Sequence, residues 1–364
     1  MSKIISFFMS IIMFFLPMAN VPKTALDEEN MKTNYTYVFC HGLSGWGSYD
    51  FVNNLMPYWG MFGGSLMKYL NARGFHCVAA SVAPEGSAWD RACELYAQLT
   101  GTKVDYGKEH SERCGHDRYG KDYSCSPLMK DWSAENKINL LGHSFGGVTV
   151  RLLSELMANG SEAERAVTPE NEISGLFTGG KADWIYSLIT LAAPTNGTTA
   201  YGLAADRYAD GTPEADTADH DMHIDNALAI NEKISTLENV YYFAYSCSST
   251  IRNEDGTYTA DTSKTESLFV SSANEMGCLT GVTEGGFVID ETWLENDGLV
   301  NTVSARAPIG APQKDFDEND VVPGVWNNMP VYSGDHMSLQ GGLFKTGNMR
   351  EFYVNYFNFI NSLG

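Results

Sequence analysis

The chain has 364 residues, 43% of them hydrophobic and 12% aromatic, and 45 acidic residues against 24 basic ones give a net charge of −21. This apolar content is too high for a disordered chain and is sufficient for one large domain or two small ones. So acidic a chain lacks the clustered positive charge that nucleic acids and anionic membranes attract, and we expect neither as a partner. Composition therefore predicts an acidic globular protein.

The N-terminal residues predict an export signal. Lys3 precedes a nearly all-apolar run at residues 4–16, and a small residue, Ala19, follows shortly after it. A basic start before a short apolar run is typical of a secretory signal, whereas a helix that spans a bilayer needs about 20 residues. We expect a signal peptide over 1–25, cleaved at about 19–25, and hence a secreted protein without a stable membrane anchor. An uncleaved anchor is the alternative.

Strand and helix patterns alternate along the rest of the chain. Apolar runs predict strands at 35–40, 75–80, 138–141, 184–191 and 240–245. Helical patterns occur at 62–71, 87–99, 148–157 and 349–359. Residues 101–125 and 200–225 are polar, and we expect them to be irregular. Short apolar strands alternating with helices predict an α/β fold with a mostly parallel, doubly wound sheet.

The clearest chemical signal is Gly142-His143-Ser144-Phe145-Gly146. A G-x-S-x-G motif between a strand and a helix is a nucleophile elbow, in which the glycines permit the strained turn that exposes the serine oxygen. The following helix N-terminus favours negative charge there. Ser144 is therefore the predicted nucleophile, and its acid and its histidine should follow in that order.

Other residues of the chain are candidates for the base, the acid and the oxyanion hole that act with Ser144. His336 is the single histidine after His223, and we expect it to be the general base. Asp297, in an Asn-Asp-Gly turn before an apolar run, is the best candidate for the acid, with a solvated turn as the alternative. The glycine-rich turn at 41–47 can supply the Leu43 amide to an oxyanion hole together with the Phe145 amide; an ordinary glycine turn is the alternative.

Seven spaced blocks carry a more specific resemblance. They are CHGLSGWG (40–47), WDRACELYAQL (89–99), VDYGKEHSERCGHDRYGKDY (104–123), LGHSFGG (141–147), LAAPTNGTT (191–199), WLENDGLVNTV (293–303) and DH (335–336). Together they resemble the large zinc-containing lipases of Gram-positive bacteria, of the Bacillus and Staphylococcus type. The resemblance implies an α/β-hydrolase fold with a small zinc-binding extension, in one domain over 26–364. It supports Ser144, Asp297 and His336 as the triad and Leu43 and Phe145 as oxyanion donors.

The same resemblance implies a metal site. Two aspartates and two histidines bind zinc in that family, and their counterparts here are Asp90, His110, His116 and Asp216, most of them in an insertion over about 87–125. Four protein ligands close a tetrahedral shell, so this zinc would be structural. Cys114, between the histidines, is a competing soft ligand, and two solvated histidines are the alternative without the resemblance.

The chain departs from the family pattern in two places. Residues 337–342, just after His336, contain no carboxylate, so we expect no calcium site there. Pro194 and Asp216 are 22 positions apart (216 − 194), and the segment between them is acidic. We therefore expect a shortened lid over about 195–225, without the amphipathic helices of the family. Residues 267–288 are the alternative lid.

These observations predict a secreted serine carboxylic ester hydrolase, a lipase or esterase acting on acylglycerols or other fatty acyl esters through an acyl-enzyme. A phospholipase or an acyltransferase with the same triad is the alternative. A metal-dependent hydrolase built on His110 and His116 and a non-catalytic lipid- or wall-binding protein are further alternatives. The expected partner is a lipid or ester substrate, and the sequence identifies no protein partner.

Overall fold

The structure is a computed structural model that describes residues 25–203, 211–344 and 349–364. Residues 1–24 of the expected signal peptide and residues 204–210 of the expected lid lie outside the described residues. Within the described ranges, no helix combines the length and the apolar character needed to cross a bilayer.

Seven parallel strands of the described chain form the main sheet, in the order β6-β7-β5-β4-β3-β1-β2. These strands are β1 (Thr36–Cys40), β2 (Cys77–Ala80), β3 (Ile138–His143), β4 (Ile185–Leu191), β5 (Tyr241–Tyr245), β6 (Gln313–Asp315) and β7 (Trp326–Asn328). In the register, Cys40 at the end of β1 pairs with Gly142 near the end of β3. The loops after these two strands therefore lie side by side at the carboxyl edge of the sheet.

Helices cover both faces of this sheet. They are α1 (Val52–Leu55), α2 (Leu66–Asn71), α3 (Ala88–Thr100), α4 (Lys108–Cys114), α5 (Phe145–Asn159), α6 (Glu162–Val167), α7 (Gly175–Thr178), α8 (Ala218–Met222), α9 (Ile224–Asn231), α10 (Val270–Met276) and α11 (Arg350–Ser362). Successive residues of β1 belong to two different hydrophobic cores. Val38 packs in the core that includes α3 and α5, and Phe39 packs in the core that includes α2 and α11. Burial on both faces explains why the strands are continuously apolar. The predicted α/β fold with a parallel sheet, an α/β-hydrolase architecture, is confirmed.

The expectation that residues 101–125 are irregular is wrong. Lys103–Asp105 and Tyr119–Asp122 pair as an antiparallel hairpin, and α4 lies between them. The first turn of α4 has no local side-chain cap. Instead the buried carboxylate of Glu164 accepts hydrogen bonds from the amides of Glu109 (3.0 Å) and His110 (2.8 Å). A distant residue thus supplies the cap that the local sequence lacks.

Candidate active site and metal group

Ser144 lies in a strained turn between β3 and α5. Its φ of 54° and ψ of −133° fall in a region that side chains other than glycine rarely adopt. The turn is held by hydrogen bonds from the Ser144 amide to the Leu191 carbonyl and from the Gly147 amide to the Ser144 carbonyl, both 2.9 Å. A Cβ atom added at Gly146 would collide with the Cys40 carbonyl, so this position requires glycine. The motif therefore has the elbow geometry expected of a nucleophile.

The structure brings Ser144, His336 and Asp297 together. His336 Nε2 lies 2.8 Å from Ser144 Oγ, and His336 Nδ1 lies 3.0 Å from Asp297 Oδ2. Asp297 Oδ1 accepts the amides of Leu299 (3.0 Å) and Val300 (2.8 Å). Because an ionised carboxylate only accepts hydrogen bonds, Nδ1 of His336 carries the proton and Nε2 is left to accept from the serine.

The Asn-Asp-Gly turn is buried, which excludes the solvated-turn alternative. Asp297 is 0% exposed, and its carbonyl accepts the His336 amide at 2.9 Å. Gly298 has a φ of 101°, which allows the chain to turn back so that the two following amides face the carboxylate. The turn therefore holds both the side chain and the backbone of the His336 loop.

The two expected oxyanion donors lie beside Ser144. A Cβ added at Gly42 would be 3.1 Å from Ser144 Oγ, so the loop that carries Leu43 passes directly against the serine. Leu43 and Ser144 line the same cavity, and Phe145 follows the serine in the chain. Neither the Leu43 amide nor the Phe145 amide donates a hydrogen bond to another described residue. Neither amide is therefore engaged by the described chain, as an oxyanion donor requires.

A buried connection between the oxyanion loop and the His336 loop was not predicted from the sequence. The Gly42 amide donates to Tyr58 Oη (3.1 Å), Tyr58 Oη lies 2.7 Å from His143 Nδ1, and His143 Nε2 lies 2.7 Å from the His336 carbonyl. Since a carbonyl only accepts, Nε2 of His143 is the donor and Nδ1 accepts from the tyrosine. The sequence signal that could have indicated this connection is His143, the histidine inside the G-x-S-x-G motif.

Arg91 was missed as well. Its side chain is 0% exposed, and its guanidinium donates to the carbonyls of His41, Gly42 (3.4 Å) and Ala83 (3.1 Å) and to Thr149 Oγ1 (2.9 Å) on α5. Arg91 therefore holds the oxyanion loop against the helix that follows the nucleophile. A single arginine in a helical pattern gives no local signal of such a position, because arginine is usually exposed.

The four expected zinc ligands come together. Asp90, His110, His116 and Asp216 form a group in which the ligand atoms all lie within 4.8 Å of one another. His110 Nε2 is 3.2 Å from Asp90 and 3.4 Å from Asp216, and His116 Nε2 is 3.3 Å from Asp216. An antiparallel bridge between Gly86 and Thr217 places Asp216 beside the start of α3. This tertiary pairing brings a distant aspartate to the other three residues.

The atoms of His116 fit a bound cation. Its Nδ1 lies 2.9 Å from the Asp117 carbonyl and must donate to it, which leaves Nε2 as the ring nitrogen that can bind a metal. That buried Nε2 has no hydrogen-bond partner among the described residues although it faces a carboxylate. A carbonyl that accepts from the other ring nitrogen in this way is typical of metal-binding histidines.

The contacts of His110 and Cys114 are less clearly those of metal ligands. Burial lowers the pKa of His110, but hydrogen bonds to Asp216 and Asp90 outweigh it and raise that pKa to about 9. Its Nδ1 lies 3.3 Å from Arg113 Nη2 and 3.9 Å from Cys114 Sγ. The Cys114 thiol thus contacts the other ring nitrogen of His110 and does not belong to the four-residue group.

Comparison with known proteins identifies the family. Residues 33–210 match the family model described as the C-terminal domain of lipase-like proteins. The lipase of Staphylococcus hyicus is 31% identical over 373 positions, which cover 88% of this chain and 56% of that protein. The structure of EstA from Clostridium botulinum has a TM-score of 0.82 at 30% identity and covers 92% of this chain and 88% of that one. The chain belongs to the Staphylococcus-type lipase family.

Membership of the lipase family confirms the resemblance found in the sequence. The crystal structure of Staphylococcus hyicus lipase also matches, with a TM-score of 0.77 at 29% identity, over 91% of this chain and 95% of that one. The chain spans about half the length of the curated lipases it matches, 56% and 51% for two of them.

In this lipase-family member, Ser144 opens into a cavity of about 470 Å³. Its lining is mainly apolar and includes Leu43, Trp46, Tyr201, Met222, Leu299, Val300 and Met337. Tyr201 and Met222 belong to the expected lid region, and Ser272 on α10 belongs to the alternative lid. A larger cavity, of about 780 Å³, adjoins His110 and Asp216 and shares no described lining residue with the first. The metal group and the serine therefore face different spaces.

Proposed function

We propose that this chain hydrolyses carboxylic esters of fatty acids, such as acylglycerols, with Ser144 as the nucleophile. The supporting observation is the continuous hydrogen-bond chain from Asp297 through His336 to Ser144 Oγ, on a strained elbow that opens into an apolar cavity. The apolar run at residues 4–16 supports export of the enzyme.

In the acylation step, Ser144 Oγ attacks the ester carbonyl carbon while His336 Nε2 accepts the hydroxyl proton. The carbonyl electron pair moves onto oxygen, and the amides of Leu43 and Phe145 stabilise that charge. Asp297 keeps the proton on Nδ1 and stabilises the charged imidazole. The intermediate collapses, the ester C–O bond breaks, and the leaving alcohol takes the proton from Nε2. Water then repeats the sequence on the acyl-enzyme and releases the fatty acid.

The cavity favours a neutral ester. The apolar side chains suit an acyl chain, and no lysine or arginine of the described residues lines the cavity. Enzymes that bind a phosphate group use such residues for it. This absence among the described lining residues supports an acylglycerol-like substrate in preference to a phospholipid.

A metal bound by Asp90, His110, His116 and Asp216 would act on folding and not on the ester. The donor set, two carboxylates and two imidazoles, suits zinc in a closed tetrahedral shell. Zinc would supply binding free energy that stabilises the fold around α3 and α4. The chemistry of the triad needs no contribution from it.

A serine-reactive phosphonate and a soluble short-chain ester test the proposal. The wild-type chain should gain one phosphonate on Ser144, and Ser144→Ala should lose both labelling and about 10⁴- to 10⁶-fold in kcat. The exposed Ser263 provides a matched control, because Ser263→Ala should keep both. Ester hydrolysis that persists in Ser144→Ala but stops with a chelator would replace this proposal with a metal-dependent hydrolase.

A further inference from the structure

Arg151 on α5 is a buried cation without a described counter-ion. Its side chain is 2% exposed, and Nε and Nη1 have no hydrogen-bond partner among the described residues. The adjacent carboxylate on the helix, Glu155, accepts instead from the Ser235 amide (2.8 Å) and from Asn159 Nδ2 (2.7 Å). Buried polar groups are almost always paired, so these free donors imply an occupant.

A small cavity adjoins the guanidinium. It has a volume of about 10 Å³ and is lined by Arg151, Ser154, Ile234, Ser235, Thr236, Tyr242, Pro308 and Trp326. A space of this size accommodates about one particle of the size of a water molecule. Phosphate, sulfate and carboxylate ligands are too large for it, whereas a water molecule or a halide ion is of the right order.

The lining offers donors and an aromatic face. Tyr242 Oη accepts the Leu237 amide at 2.9 Å, which leaves its own hydrogen for another partner. The Trp326 ring lies 5.9 Å from Arg151 Cζ, in cation–π range. Burial lowers the pKa of Arg151 only to about 10, so the guanidinium is charged at neutral pH.

We propose that Arg151 binds one buried chloride ion between α5, β5 and β7. Water would satisfy the N–H groups but would leave the positive charge uncompensated, and an unpaired buried charge is strongly unfavourable. A monoatomic anion satisfies the donors and neutralises the guanidinium together. The ion would join α5, the helix that starts after Ser144, to the strands that carry Tyr242 and Trp326. The proposal does not depend on ester hydrolysis.

Thermal unfolding in the absence and presence of chloride tests the site in solution. The full chain, dialysed into sodium gluconate, is titrated with sodium chloride at constant ionic strength. We expect Tm to rise saturably by about 3 °C or more, because a ligand that binds only the folded state stabilises it. Arg151→Met should abolish the rise, and Arg252→Met, which removes an exposed arginine, should keep it. A rise that persists in Arg151→Met overturns the proposal.

Bromide locates the ion directly. Crystals of the wild-type chain grown in sodium bromide should give an anomalous peak in contact with the Arg151 guanidinium, and a water molecule or empty density there overturns the proposal. If Arg151→Met does not fold, Tyr242→Phe replaces it, since it removes one donor and keeps the ring. That variant should weaken the chloride response, and an unchanged response counts against the site.

Discussion

Burial fixes the protonation of the histidines that surround the triad. Burial lowers the pKa of His143 to about 3, with a smaller contribution from His336, and burial and the Arg91 charge lower the pKa of His41 to about 3. Both rings are therefore neutral at neutral pH. His143 connects Tyr58 to the His336 carbonyl, and His41 accepts the Val82 amide at 3.2 Å. These two rings hold loops in place, and as neutral groups they have no part in the proton transfer that we propose for His336.

Asp297→Asn should lower kcat by about 10³- to 10⁴-fold, one to two orders less than Ser144→Ala. The amides of Leu299 and Val300 will keep the amide oxygen at the Oδ1 position, so the NH₂ group faces His336 Nδ1. Nδ1 must then accept, the proton moves to Nε2, and Nε2 can no longer accept from Ser144. Steady-state kinetics on a soluble ester measure the change, and full activity would assign the acid to another residue.

Arg91→Met should lower kcat by about 10²-fold with little change in KM, because a displaced oxyanion loop weakens binding of the transition state more than that of the neutral ester. The rate of phosphonate labelling should fall in parallel. Arg165→Met is the matched control and should keep wild-type kinetics. Arg165 also donates to backbone carbonyls, those of Asn159 and Phe177, but these lie away from the oxyanion loop. Equal kinetics in wild type and Arg91→Met would show that the loop is held without Arg91.

At the scale of elements, the metal group depends on three separate segments: the start of α3, the α4 region and the residues before α8. Each segment alone is polar and short. A bound metal would join them, and the free energy of that binding would become free energy of folding. We therefore expect its loss to affect the stability of the chain more than its rate.

About one equivalent of zinc should copurify with the chain, and its removal by a chelator should lower Tm. His116→Ala should lower Tm more than it lowers kcat at room temperature, and the exposed His76 serves as control in His76→Ala. Metal analysis and calorimetry measure both quantities. A metal-free preparation with the same Tm as the loaded one would argue against the site.

Two segments beside the cavity, residues 195–225 and 267–288, are the candidates for a lid. The described part of 195–225 contains the short helix α8, the first two residues of α9 and single turns, and α10, with Ser272, borders the same cavity. The Phe269 ring lies 6.4 Å from the His336 ring, and Leu268 is 62% exposed. Both segments thus border the cavity at Ser144, and their described residues include no long amphipathic helix.

We expect no jump in rate as tributyrin passes its solubility limit. An oil surface can favour an open form only by its differential affinity for two states, and short segments offer little apolar area for it. Initial rates measured at tributyrin concentrations below and above the solubility limit, with a staphylococcal lipase as reference, test this expectation. A sharp rise at the emulsion point would identify residues 267–288 as a replacement lid, and Leu268→Ala should then reduce the rise.

At the scale of the whole molecule, acid affects stability through two opposing sets of groups. His41 and His143 have a pKa of about 3 in the folded chain, against about 6.5 in the unfolded one. Between these values the unfolded chain binds more protons, so the free energy of unfolding falls as pH falls from about 6.5 to 3. Burial raises the pKa of Glu94, Asp221 and Asp335 and acts in the opposite direction.

His143→Gln should therefore make stability less dependent on pH. The wild-type chain should lose about 2 kcal/mol from this histidine between pH 7 and pH 5, and the variant should not. Urea unfolding at both pH values gives the two differences, and comparing the variant with wild type cancels the change in repulsion that comes from the net charge of −21. His76→Gln, at an exposed position, should behave as wild type; an identical pH dependence in His143→Gln would contradict the reasoning.

The sequence by itself determined the α/β fold and the three residues that now lie together at Ser144. Strands buried on both faces must be continuously apolar, and the elbow requires glycines at fixed positions, so both leave local signals. Asp297 and His336 were accessible because the elbow motif dictates their order in the chain.

Only the tertiary structure decided what depends on distant contacts. Helix α4 forms in a polar segment because Glu164 caps it, and Asp216 reaches the metal group through its bridge to the start of α3. Burial in the folded chain sets the positions of Arg91, Tyr58 and His143. Arg151 is also buried, and it has no described counter-ion. A side chain's neighbours across the fold set its role, and periodicity and motif spacing record only its neighbours along the chain.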